Sequence, residues 1–180
     1  GENDIAINYA SGTGTSNLTF NYIVSAGHTS NDLDYISTNA LTLNNSTITD
    51  IAGNAAVVTL PAPGETNSLG ANKAIVIDTE SPTITSVTSS AIDGTYKVDD
   101  VIPILVTFSE AVFVTDVPQI TLETGETDAI ASYASGSETT TLTFNYTVLQ
   151  GHTSLDLDYV STEALALNGG TILDIAQNTS

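Results

Sequence analysis

The sequence predicts an all-β fold built from two tandem antiparallel β-sandwiches. Three observations predict it. Apolar and polar residues alternate with period two in segment after segment, Gly, Asn, Asp and Ser separate these segments at intervals of roughly 8 to 12 residues, and no segment sustains a helical period.

Residues 5–9 are the first strand candidate. Leu18, Phe20, Tyr22 and Val24 then alternate with Thr19, Asn21 and Ile23, the pattern of a strand with one face buried. Residues 47–51, 55–60 and 74–77 follow, then 83–88, 101–108, 119–123 and 129–133, all rich in β-branched or aromatic residues. A last alternation places Leu142, Phe144, Tyr146 and Val148 on one face. Pro103 donates no ladder hydrogen bond, so its strand is predicted to lie at a sheet edge or to carry a bulge. Strands of this length and spacing fit a sandwich of about 100 residues per domain, with an immunoglobulin-like topology.

The chain repeats itself. Tyr9-Ala10-Ser11-Gly12 recurs as Tyr133-Ala134-Ser135-Gly136, Leu18-Thr19-Phe20-Asn21-Tyr22 as Leu142-Thr143-Phe144-Asn145-Tyr146, and Gly27-His28-Thr29-Ser30 as Gly151-His152-Thr153-Ser154. Asp32-Leu33-Asp34-Tyr35 and Asp50-Ile51-Ala52 recur at the same offset of 124 residues, without a gap. Over residues 1–56 and 125–180, 34 of 56 positions are identical, which chance does not produce. At Ile77-Asp78-Thr79-Glu80-Ser81-Pro82 an apolar run ends at a proline and a new alternation begins. Residues 1–80 are therefore read as the C-terminal part of one repeat and 81–180 as the N-terminal part of the next. The second lacks the counterparts of residues 55–60 and 74–77, so its last strands are expected to be missing or supplied by another segment, leaving an open edge.

Composition narrows the function. Among 180 residues there are 21 Asp and Glu against two cations, Lys73 and Lys97, for a net charge of -19. No basic patch can form to neutralise phosphates, so nucleic acid and anionic membranes are poor partners. With 41% hydrophobic residues the chain is predicted to fold. It has no Cys, Met or Trp, which removes disulfides, thiol chemistry and soft-metal sites and suits an exposed protein. No apolar run reaches the length of a membrane span.

Asp78-Thr79-Glu80-Ser81-Pro82, Val106-Thr107-Phe108-Ser109-Glu110-Ala111-Val112, Leu142-Thr143-Phe144 and Asp50-Ile51-Ala52-Gly53-Asn54 together resemble the bacterial immunoglobulin-like repeats of giant adhesins and other long surface proteins. The resemblance covers nearly the whole chain and implies a spacer in a secreted polypeptide at the bacterial cell surface, often stiffened by calcium. Its motifs define a structural repeat and carry no catalytic signature. The second copy departs from the first at Gln177, where the first has Gly53.

Such an acidic surface repels itself unless cations condense on it, and calcium takes six to eight oxygen ligands from loops. Asp78 and Glu80, in a linker similar in outline to cadherin junctions, are the leading candidate calcium ligands, with partners expected from Asp99 and Asp100, from Glu110, or from Asp50 with Asn54. Asp50 and Asp174 read as turn residues bonding their own backbone. Asp32 and Asp34 sit two apart, so a strand there would put both carboxylates on one face, a solvated face more readily than a glycosidase pair. His28 and His152 are single in their repeats and read as turn residues rather than zinc ligands. No Gly-x-Ser-x-Gly elbow is present.

The sequence thus predicts a non-enzymatic stalk or filament segment whose partners are neighbouring repeats of its own chain. Two alternatives stay open: a module whose end loops bind a glycan or a cell surface, and a fibre subunit in which identical chains exchange strands.

Overall fold

The computed structural model describes residues 4–180. Among the described residues the chain is all-β apart from one helical turn and every strand pairing is antiparallel; it divides into two compact units, residues 1–80 and 81–180.

Unit 1 contains a short hairpin, β1 (Tyr9–Ser11) and β2 (Thr19–Phe20), and one turn of helix, α1 (Leu69–Asn72). The rest is held by turns and isolated bridges, Ser30 to Ile77 and Thr49 to Ala55. The α1 turn escapes a sequence search because four residues are too few to display a period. It exists through capping: the Ser68 hydroxyl accepts the Ala71 N–H at 3.1 Å, and the Asn72 amide donates to the Ser68 carbonyl at 2.8 Å. Ser68 is the one buried residue among those described in unit 1.

Unit 2 holds β3 (Ile84–Ser89), β4 (Val101–Thr115), β5 (Gln119–Glu123), β6 (Ala129–Ser135), β7 (Thr139–Thr147), β8 (Asp158–Tyr159), β9 (Leu165–Ala166) and β10 (Thr171–Leu173). They join in one sheet ordered β10-β4-β7-β6-β5-β8, with β3 also on β4 and β9 on β5. The sheet curls because β4 changes partners along its length. Its first half pairs with β3 and β7, the register against β7 shifts between Thr107 and Val112, and its end pairs with β10. Such a bulge lets one strand serve two layers of a sandwich.

Period two places Ile102, Ile104, Val106 and Phe108 of β4 inward, against Leu142, Phe144 and Tyr146 of β7 and Ile120 and Leu122 of β5. Ala129, Ala131, Val112 and Ile172 close this core, in which each full burial of a large side chain contributes about 1.5–3 kcal/mol. All fifteen buried hydrophobic residues among those described lie in unit 2.

Pro103 differs in part from its expected place. The bulge is present, but β4 is an interior strand, with β3 on one side and β7 on the other. The proline fits because the β3 ladder ends at Ser89 opposite Ile104, so no main-chain donor is called for at Pro103; the Ser89 hydroxyl donates instead to the Pro103 carbonyl at 2.7 Å.

Candidate functional site

The most regular features of the chain are turns that occur twice. In unit 1 the hairpin pairs Tyr9 with Phe20 and Ser11 with Thr19; in unit 2 Tyr133 pairs with Phe144 and Ser135 with Thr143, with a register shift at the same step. The Tyr and Phe rings meet edge to face at 6.1 and 5.9 Å. Thr15 and Thr139 close the two hairpin turns with the same hydroxyl bonds, to the carbonyls of Gly12 and Asn17 and of Gly136 and Thr141.

The histidines belong to these turns. The Tyr22 and Tyr146 hydroxyls lie 2.9 and 3.0 Å from Nδ1 of His28 and His152, and the rings stack. The Ser25 and Leu149 N–H groups donate to the same Nδ1 atoms, which fixes Nδ1 as the acceptor and leaves the ring proton on Nε2. Burial of the Tyr146 hydroxyl raises its pKa above the usual tyrosine value.

The Asp-x-x-x-Asn turn also recurs. Asp50 accepts the Asn54 N–H and side-chain amide, both at 2.8 Å; Asp174 accepts the same two groups of Asn178, at 2.8 and 2.7 Å. Gln177 takes the left-handed conformation of Gly53, with φ of 74° against 89°, so the turn keeps its shape despite the substitution. The Asn54 side chain first, then its N–H, pull the Asp50 pKa below the ordinary value, partial burial opposing them.

Asp32 and Asp34 are in irregular backbone, so the shared strand face expected for them does not form. Asp34 is instead the polar node of unit 1: it accepts the Tyr35 N–H at 2.9 Å and the Gly64 N–H at 3.0 Å. Partial burial raises its pKa, but hydrogen bonds from Gly64, Tyr35, Gly70 and Ser68 outweigh this and hold the carboxyl below the ordinary value.

The candidate calcium ligands fall into separate places. Asp78 and Glu80 end unit 1, where the Asp78 carboxylate accepts the Glu80 N–H at 3.0 Å. Asp99 and Asp100 form the turn that enters β4, where Asp100 accepts the Lys97 N–H at 2.8 Å and meets its ammonium at 3.3 Å. The Lys97 N–H, then its side chain, keep the Asp100 pKa low against partial burial. Glu110 is ten residues further along β4. At about 3.3 Å per extended residue, the turn and Glu110 are too far apart to share an ion.

Glu110 has a closer acidic neighbour that the turn reading of Asp174 passed over. The pairing of β10 with the end of β4 brings half-buried Glu110 and buried Asp174 together, with carboxylate oxygens within 4.8 Å of each other. Two carboxylates at this distance repel in a partly desolvated setting, and a divalent cation relieves that repulsion. The first strand of unit 2 arrives beside them: the Ser109 N–H donates to the Thr83 carbonyl at 2.8 Å and the Thr83 N–H to the Ser109 hydroxyl at 3.0 Å.

No protein-family model, curated protein or solved structure matches the chain. Among the described residues, no helix is long and apolar enough to cross a membrane.

Proposed function

We propose that the chain is a structural repeat, a spacer or stalk segment of a large secreted bacterial surface protein, and that it carries out no catalysis. The observation that carries this reading is the doubling of turn chemistry at an offset of 124 residues. Tyr-His stacks, Thr-closed hairpins and Asp-x-x-x-Asn turns recur with distances equal to within about 0.2 Å, and each satisfies its own polar groups. Side chains that serve a reaction must be free to meet substrate, whereas these hold backbone. The twofold histidine is bonded to tyrosine, and the twofold aspartate to asparagine. In a repeat protein each unit leans mainly on its neighbours, so length grows by adding units.

Calcium is the proposed stiffening ion. Glu110 and Asp174 supply its first oxygens, with backbone carbonyls and water completing the six to eight that calcium takes. Asp99 and Asp100 are left out because of their position at the other end of β4.

Small-angle scattering on chains of two, four and eight 124-residue periods, with calcium and with chelator, tests the spacer reading. A maximum dimension that grows in proportion to the number of periods supports it. A dimension that grows only as the cube root of mass, as for a globule, sinks it.

A further inference from the structure

One turn occurs in both copies of the repeat but differs at a residue that changes its chemistry. Leu167-Asn168-Gly169-Gly170 joins β9 to β10, and its counterpart 124 residues earlier is Leu43-Asn44-Asn45-Ser46. The backbones agree. Asn168 and Gly169 have φ of 54° and 85°, Asn44 and Asn45 have φ of 46° and 65°, and the N–H of the fourth residue donates to the carbonyl of the first at 2.9 and 2.7 Å. Positive φ at both central positions defines a tight turn that asparagine and glycine favour. Asn168-Gly169 is the one Asn-Gly pair in the sequence.

The surroundings leave the Gly169 nitrogen open to react with the Asn168 side chain. Both residues are exposed, and among the described residues the Gly169 N–H has no hydrogen-bond partner. Glycine carries no Cβ to shield its nitrogen, its backbone moves readily out of the turn geometry, and the space a Cβ would fill there has no atom within 4 Å. The Asn168 amide is held by one donation to the Val117 carbonyl at 3.4 Å, long for a hydrogen bond. In unit 1 the equivalent nitrogen belongs to Asn45, whose side chain crowds its approach. The next nitrogen, that of Ser46, is engaged by the Leu43 carbonyl.

We propose that Asn168-Gly169 is a site of spontaneous, irreversible modification, an age mark that unit 2 carries and unit 1 does not. Solvent base takes the Gly169 N–H proton, the nitrogen forms a bond to Asn168 Cγ, and the Cγ–Nδ2 bond breaks, so that Nδ2 leaves as ammonia with a proton from water. The product is a succinimide ring, which one water molecule opens. Addition at Cγ restores the main chain and leaves aspartate; addition at the main-chain carbonyl carbon leaves the chain running through Cβ and Cγ, as isoaspartate. One water is consumed and one ammonia released, with no change of oxidation state. Either product sets a carboxylate against the Val117 carbonyl in place of a donor, in a turn packed on Thr115 and Asp116. Isoaspartate also lengthens the main chain by one carbon. Turn length fixes the register of the strand that follows, and β10 starts two residues on, with Thr171 opposite Thr115.

The test incubates the folded chain at mildly alkaline pH and follows each asparagine by peptide mass mapping. Asn168 is expected to convert at least about tenfold faster than Asn44, with aspartate and isoaspartate both among the products. Gly169→Asn rebuilds the turn that unit 1 already contains, and is expected to slow Asn168 to the rate of Asn44. Conversion of Asn168 no faster than that of Asn44, or unaffected by Gly169→Asn, would overturn the site. In the isoaspartate fraction, main-chain amides of β10 are expected to exchange hydrogen about tenfold faster than in the Asn168→Asp variant, which has the charge without the extra chain atom. Equal exchange in the two would overturn the lengthened turn as the cause of any loosening of β10.

Discussion

At the scale of single residues, backbone conformation makes the sharpest predictions. Gly136 has φ of 109°, and a Cβ there would stand 2.2 Å from the Thr141 carbonyl oxygen, which is backbone and cannot step aside. Gly136→Ala is therefore expected to destabilise unit 2 by about 2 kcal/mol or more in urea unfolding. Gln177 carries the opposite signature, a long side chain in the left-handed region of a turn where the first copy has glycine. Gln177→Gly should raise stability by up to about 1 kcal/mol, the relieved strain exceeding the entropy glycine loses. Asp34, Asp50 and Asp100 all have folded pKa values held below 3.8. The unfolded chain thus takes up these protons first: the stability they contribute is complete above about pH 4 and is lost as pH falls through the folded values. Carboxyl NMR titration should give all three midpoints below 3.8, and an Asp50 midpoint at or above it would refute the asparagine clasp.

At the scale of elements, identical strands meet different fates. Leu142 and Phe144 of β7 are fully buried between β4 and β6, whereas Leu18 is 39% exposed and Phe20 only half-buried, because β2 pairs with β1 alone. Phe144→Ala is expected to cost about 3–5 kcal/mol and Phe20→Ala about 1 kcal/mol, measured as the shift of each unit's unfolding midpoint. Equal costs would mean that Phe20 is covered after all. This pair also shows how far the elements could be read from sequence. Alternation marked β5 to the residue and located β4, β6 and β7, because a strand between two neighbours shows its period directly; β3, which pairs with β4 alone, was located by its β-branched residues. Residues 5–9, 47–51 and 55–60 carry the same kinds of residues yet reduce to a short hairpin and a bridge, because a strand needs a partner and propensity supplies none. β4 runs seven residues beyond its expected end at 108. Its bulge breaks the alternation that sequence reading follows.

At the scale of the whole molecule, calcium binding is the property to measure. If Glu110 and Asp174 hold calcium in the folded state alone, millimolar calcium at constant ionic strength should raise the unfolding temperature of unit 2 by about 5 °C or more over chelator. Glu110→Gln with Asp174→Asn should remove the difference whatever it does to stability itself. No rise in the unaltered chain would leave the acidity as a solvating surface. The sequence by itself determined what is local or periodic: the all-β class, the 124-residue offset and the turns closed by their own side chains. Only the tertiary structure decided which copy of the repeat buries its apolar face, that Asp174 lies beside Glu110 although 64 positions separate them, and that Asp100 does not. Turn chemistry acts over a few bonds and is written in adjacent residues, whereas burial and the meeting of distant charges depend on which strands become neighbours.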